Sequence, residues 1–291
     1  MTRAGSASTF SAPDGTTLAY TSGGSGPPLL CHPGGPGRAG AYLEDLAGLT
    51  DERTVVVLDP RATGRSEVPA DPSTLRFDRL ADDLDALRAH LGLETADVLG
   101  HSAGCLVAQA YAARYPQRVG SLVLVTPSWQ LQGGDRSDVA GVRAAFEGQP
   151  WYADAAQAQQ ALDDGATPAQ RQALVRATRP FFYGRWDART QAHAATADSQ
   201  SSRRAELGFA GGGGDVDVPA LLAGLRNLTA PVLVLGGARD ALTGVDAVHL
   251  VAGSLTGAEV VVLPEAGHFP WVDDPQAFRS AVGGWLRANA S

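Results

Sequence analysis

Six short apolar runs, each of strand length and separated by stretches of helical character, constrain this chain more than any other feature. PPLLCH (27–32), TVVVLD (54–59), ADVLG (96–100), SLVLVT (121–126), PVLVLGG (231–237) and EVVVLP (259–264) are the runs, and TTLAY (16–20) adds a further strand. Several are apolar throughout, which suits strands covered on both faces rather than on one. Between them, FDRLADDLDALRAHLGL (77–93) sets Leu80, Leu84, Leu87 and Leu91 on one helical stripe. Alternation of this kind predicts an α/β fold around a mainly parallel sheet flanked by helices.

The alternation lapses between roughly Trp129 and Pro219. That stretch is rich in Ala and Gln and carries Trp151, Tyr152, Phe181, Phe182, Tyr183 and Trp186, the aromatics of an inserted helical layer in which some rings pack together and some face a ligand. It ends in GGGGD (211–215), which reads as a linker: no strand precedes it and no lysine follows, as a phosphate loop would require. The expected organisation is a core of residues 1–128 and 219–291 interrupted by a helical cap at 129–218. The length and the 44% apolar content suffice for one large core.

Charge and residue types exclude several chemistries. A net charge of −8 disfavours nucleic acid and anionic membrane as partners, and no apolar window reaches transmembrane length. The first 15 residues lack the apolar stretch of a signal peptide, so a cytoplasmic protein is expected. All 23 basic residues are arginine, which removes a P-loop lysine and a Schiff-base lysine. Two cysteines, Cys31 and Cys105, form no disulfide framework, and the scattered histidines form no metal-binding pattern. Neither a metal nor a cofactor is expected.

GHSAGC (100–105) carries the chemistry. A serine at a sharp strand-to-helix turn occupies strained backbone and needs small neighbours, and here ADVLG precedes Ser102 while AGCLVAQAYAARYP (103–116) follows it as a helix. A serine nucleophile needs a base, and the base an orienting acid. PVLVLGGARD places Asp240 just past the end of a strand, and EVVVLPEAGHFPW places His268 in a glycine-containing loop after the last strand. The order Ser102, Asp240, His268 is unlike that of chymotrypsin or subtilisin. Donors for an oxyanion are expected from the backbone N–H of Ala103 and from Gly35, in the CHPGGPGRAG loop, where glycines permit close backbone approach and prolines stiffen the turn.

Together HPGGPG (32–37), DPRATGRS (59–66), GHSAG (100–104), GGARD (236–240) and AGHFPWVDDP (266–275) resemble the α/β-hydrolase superfamily, and within it the proline iminopeptidase-like branch. The resemblance covers residues of about 10–127 and 219–289. It implies an α/β-hydrolase fold with Ser102 as nucleophile, Asp240 as acid, His268 as base, and Gly35 and Ala103 as oxyanion donors. Ala103 stands where that branch usually has tryptophan, Ala62 where it has glycine, and Pro33 where it has a histidine. Its peptidases also hold an ammonium group with cap carboxylates, for which Glu147, Asp154 and Glu206 are the candidates here.

The expected function is a cofactor-independent serine hydrolase that cleaves an ester or amide of a small, mainly apolar molecule through an acyl-enzyme. Ester or neutral amide ranks above a peptide with a free N-terminus. A lyase, cyclase or acyltransferase could use the same three residues, and a non-catalytic binding protein could use the same scaffold. The expected partner is a small-molecule substrate; the sequence sets no oligomeric state.

Overall fold

A computed structural model describes residues 6–135, 137–211 and 216–289. Eight strands form one sheet: β1 (Ser6–Ser11), β2 (Thr17–Gly24), β3 (Pro28–His32), β4 (Thr54–Asp59), β5 (Ala96–His101), β6 (Val119–Val125), β7 (Val232–Gly237) and β8 (Glu259–Leu263). Their order is β1-β2-β4-β3-β5-β6-β7-β8. The pairs β1·β2 and β2·β4 are antiparallel, and every later pair is parallel. Every apolar run read from the sequence falls on a strand; β1 is an addition.

The helices are α1 (Phe77–His90), α2 (Gly104–Arg114), α3 (Asp138–Ala144), α4 (Tyr152–Asp163), α5 (Pro168–Ala177), α6 (Ala188–Ala195), α7 (Ala197–Gln200), α8 (Arg203–Phe209), α9 (Val218–Arg226), α10 (Gly244–Gly253), α11 (Pro270–Asp273) and α12 (Pro275–Ala288). Alternate residues of the central strands feed two cores. Leu30, Val98, Leu122, Leu124 and Val234 join Leu80, Leu84 and Leu87 of α1 and Val107 of α2 on one face. Leu29, Leu99, Val123, Val125 and Leu235 join Trp271, Phe278 and Val282 on the other. Period-two side-chain alternation thus buries both faces of the middle of the sheet. The edge strand β8 departs from that expectation: Val260 is 38% exposed, because only β7 flanks it.

The DPRATGRS turn after β4 is held by charge. Arg61 is buried and donates through Nε and Nη2 to Asp83 of α1 at 2.7 and 2.6 Å, and through Nη1 to Asp14. Ser66 donates to the Asp59 carbonyl at 2.5 Å and accepts from Ala19 N–H at 2.8 Å, locking the turn to β2. Ala62, at the family's glycine position, adopts left-handed backbone (φ +60°). Cys31 and Cys105 are buried free thiols. Most of the GGGGD stretch lies outside the described residues. No helix among the described residues is long and apolar enough to cross a membrane.

Candidate active site

The three residues singled out in the sequence stand beyond the C-terminal ends of parallel strands β5, β7 and β8, the edge at which open α/β sheets hold ligands. Ser102 follows β5 directly and adopts φ +54°, left-handed backbone that a side chain resists. Its N–H donates to the Val125 carbonyl at 2.9 Å, and its own carbonyl accepts from Cys105 and Ser128, so the strained residue is held from both sides. Gly104 is required by contact: a Cβ there would lie 2.4 Å from the His32 carbonyl oxygen and 2.5 Å from that of Pro33. The HPGGPG loop therefore packs against the start of α2. Gly34 comes as close on the other side, where a Cβ would meet Ser102 Cβ at 2.9 Å and Ala103 N at 3.2 Å. Neither Gly35 N–H nor Ala103 N–H donates to an acceptor among the described residues.

His268 and Asp240 form a buried pair, with Nδ1 2.8 Å from Asp240 Oδ2. Asp240 also accepts from Thr243 Oγ1 at 2.5 Å, and from the backbone N–H groups of Leu242 and Thr243 at 2.9 and 3.0 Å. Burial alone would raise its pKa, but His268 and the Thr243 donors outweigh burial and hold it below the ordinary carboxylate value. With Nδ1–H committed to Asp240, Nε2 is the ring nitrogen left to the cavity that His268 shares with Ser102.

A hydrogen-bond relay supports this arrangement from below. The His268 carbonyl accepts from Thr126 Oγ1 at 3.1 Å and from His101 Nε2–H at 2.9 Å, which fixes the His101 tautomer. His101 Nδ1 then accepts from the Tyr42 hydroxyl at 2.7 Å, and the same hydroxyl accepts from Gly34 N–H at 2.6 Å. Burial, with His268 nearby, keeps His101 well below its usual pKa and neutral. The relay continues upward. The Tyr42 carbonyl accepts from His193 Nε2–H on α6 at 2.9 Å, and His193 Nδ1 accepts from the Tyr183 hydroxyl at 2.7 Å. Burial takes His193 down to about 4, so it too is neutral. One line of polar contacts thus runs from the helices between β6 and β7 to the backbone of His268. On the far side of the same loop, Asp273 Oδ2 accepts from Gly267 and Gly184 at 2.8 and 3.0 Å, and burial raises its pKa to about 6.

Ser102 and His268 open into a cavity of about 510 Å³, a size suited to a small organic molecule. Gly35, Tyr42 and Leu242 contribute to its walls, as do Arg171, Gln172 and Val175 of α5. Of the six aromatics flagged in the sequence, Phe182 and Tyr183 line the cavity. Trp151, Tyr152 and Phe181 instead pack around Phe146 in a separate small core, and Trp186 packs on Tyr183. Of the three flagged carboxylates only Glu206 lines the cavity, and Arg203 engages it at 2.8 Å. Glu147 meets the Tyr152 hydroxyl away from the cavity, and Asp154 is exposed.

Arg38, Tyr42, His101 and His193 are the site residues that no sequence motif marked. His101 sits inside GHSAG and Arg38 directly follows HPGGPG, and those positions are the only local signals.

Comparison with known proteins agrees with this fold. The family model for the α/β hydrolase fold matches residues 27–275. The pimeloyl-[acyl-carrier protein] methyl ester esterase of Chromobacterium violaceum is 33% identical over 232 residues, covering 76% of this chain and 81% of that protein. The proline iminopeptidase of Levilactobacillus brevis is 28% identical over 283 residues, covering 90% and 89%. The match to the proline iminopeptidase of Heyndrickxia coagulans, 33% identical over 108 residues, spans 37% of this chain and 38% of that protein. Among solved structures, a hydrolase from Pseudomonas aeruginosa PA01 superposes with a TM-score of 0.65 at 30% identity, covering 98% of this chain and 99% of that one. The chain belongs to the α/β-hydrolase superfamily, in its proline iminopeptidase-like branch, a family of hydrolases.

Proposed function

We propose that this chain is a cofactor-independent serine hydrolase acting on an ester or neutral amide of a small molecule, with Ser102 as nucleophile, His268 as base and Asp240 as orienting acid. The observation that carries the reading is the strained Ser102, φ +54°, opening into the same cavity as a His268 already oriented by Asp240. His268 Nε2 takes the hydroxyl proton as Ser102 Oγ attacks the substrate carbonyl carbon. The Gly35 and Ala103 N–H groups receive the oxyanion. Collapse breaks the bond to the leaving alcohol or amine, which takes the proton from His268. A water molecule, deprotonated by His268, then releases the acid from Ser102. Residues 129–218 serve as a helical cap that narrows access to the cavity and sets substrate choice.

An esterase reading is favoured over an aminopeptidase reading because both acids of the cavity are already engaged. Asp198 pairs with Arg179 at 2.5 Å and Arg176 at 2.9 Å, and Glu206 with Arg203 at 2.8 Å, so the charge of each is already offset by arginine, which disfavours a substrate ammonium group. Fluorophosphonate labelling is the test: wild type is expected to be modified at Ser102 and to hydrolyse p-nitrophenyl acetate in preference to proline p-nitroanilide. Ser102→Ala is expected to lose both the label and the turnover, with kcat down by about 10⁴ or more. Turnover by Ser102→Ala within about tenfold of wild type would refute the assignment.

A further inference from the structure

Arg38 is 6% exposed, lines the cavity, and lies within ion-pair distance of no carboxylate among the described residues. Its Nε donates to Gln200 Oε1 at 3.0 Å and its Nη2 to Thr196 Oγ1 at 2.9 Å. Both acceptors are neutral. Its Cζ lies over the Tyr42 ring, 4.1 Å from the centroid, which with the two hydrogen bonds holds the guanidinium in place. Nη1 donates to no acceptor among the described residues and is not a sealed, partnerless atom of the interior, which leaves it to the cavity. A buried guanidinium is costly unless an anion answers it.

The other charges of the cavity do not answer it. Arg38, Arg171, Arg179 and Arg203 line the cavity against only Asp198 and Glu206, and each of those acids already has an arginine partner. A surplus of positive charge on a cavity wall stands out in a chain of net charge −8. We infer that the substrate carries a carboxylate, received by the open Nη1 of Arg38. The open Nη1 can donate charge-assisted hydrogen bonds to a carboxylate oxygen, and one open nitrogen answers a monoanion with a single positive charge. The group is well placed for selection: Arg38 N–H donates to the Gly34 carbonyl at 3.2 Å, on the same loop as the proposed oxyanion donor Gly35. A carboxylate bound there registers the ester against that loop.

This inference rests on the hydrolase reading for its kinetic test and on binding alone for its second test. The kinetic test uses two matched pairs. The first is p-nitrophenyl hydrogen glutarate against p-nitrophenyl methyl glutarate. The second is 4-acetoxybenzoate against methyl 4-acetoxybenzoate. Together they place the charge on the acyl or on the leaving side. Wild type is expected to favour the anionic member of at least one pair in kcat/KM, and Arg38→Met to reduce that preference by about 10- to 100-fold, the range expected of a charge-assisted hydrogen bond. Arg38→Lys is expected to restore only part of it. A merely structural Arg38 would lower both members by the same factor, and an unchanged ratio in both pairs overturns the inference. The binding test titrates glutarate into Ser102→Ala with and without Arg38→Met, where the second substitution is expected to weaken binding by about 10- to 100-fold. If glutarate binds in this Arg38-dependent way while wild type turns over no ester, carboxylate recognition stands and the hydrolase reading falls. Equal binding to the two variants overturns the inference.

Discussion

Replacing Tyr42 by phenylalanine removes one oxygen and almost no volume, yet two buried groups depend on that oxygen. Its hydroxyl accepts from Gly34 N–H at 2.6 Å and donates to His101 Nδ1 at 2.7 Å. Tyr42 is 2% exposed and Trp271 against His101 fully buried, so both partners of the hydroxyl lie in the interior. Each orphaned polar group costs about 1–3 kcal/mol, so Tyr42→Phe is expected to destabilise the fold by about 2–6 kcal/mol. It is also expected to slow turnover. Gly34 precedes the proposed oxyanion donor, and freeing its N–H lets the loop drift; a displacement of about 1 Å costs about 10²-fold in rate. Urea unfolding with an unchanged m value, together with kcat on a p-nitrophenyl ester, measures both effects. A cycle with His101→Leu checks the partner: Tyr42→Phe orphans His101 Nδ1 and His101→Leu orphans the Tyr42 O–H, but the double variant orphans neither, so a coupling of about 2–6 kcal/mol is expected. A stability loss below about 0.5 kcal/mol with unchanged kcat would show that the relay is not closed through this hydroxyl.

Three further outcomes are expected. Ser102→Gly and Ser102→Ala should both be inactive, with the glycine variant more stable by about 0.5–1 kcal/mol in thermal unfolding, because φ +54° strains any residue with a Cβ. Arg61→Met should destabilise by about 3–5 kcal/mol in urea, since it leaves Asp83, whose side chain is 1% exposed, as an uncompensated buried charge. Burial raises Asp273 to about 6 from an ordinary 3.8, so the folded chain holds that proton more tightly than the unfolded chain. Its contribution is therefore fully present below about pH 4 and is lost as pH rises through 6, by up to about 3 kcal/mol. Asp273→Asn should flatten the stability profile over that window, and a profile unchanged by the substitution would rule out Asp273 as its source.

The central strands were legible because strands covered on both faces must be apolar at nearly every position. β1 was not: in SASTFS only Phe10 is buried, and Ser6, Ala7, Thr9 and Ser11 face solvent at the edge of the sheet. β8 was found for the same reason as its neighbours, but its apolar run alone could not show that Val260 would lie on an edge. Ser102, Asp240 and His268 were legible because each sits in a short loop directly after an apolar run. Tyr42, His193 and Arg38 were not, because what gives them meaning is far away in sequence. Tyr42 meets a partner 59 positions on, His193 one 151 positions back, and Arg38 partners 158 and 162 positions on. Only the folded chain brings those groups within bonding distance.

The upward branch of the relay bears on how such a protein could acquire new substrates. Because His193 on α6 supplies the donor to the Tyr42 carbonyl, a foreign segment grafted between β6 and β7 would strand that carbonyl in the interior unless it brought its own donor to the same point. Arg38 and Ser201 add a backbone bridge at the same seam, and Gly37 accepts from Ser202 N–H at 2.8 Å. The stretch from α6 to α8 is thereby bonded to the loop that follows β3. By contrast, α4 and α5 pack chiefly on each other and on the turn at 179–182, while α5 still presents Arg171, Gln172 and Val175 to the cavity. Recombination and laboratory grafting should therefore succeed at the α4–α5 hairpin, where substrate contacts can be exchanged as a unit, and fail when the exchange extends through α6.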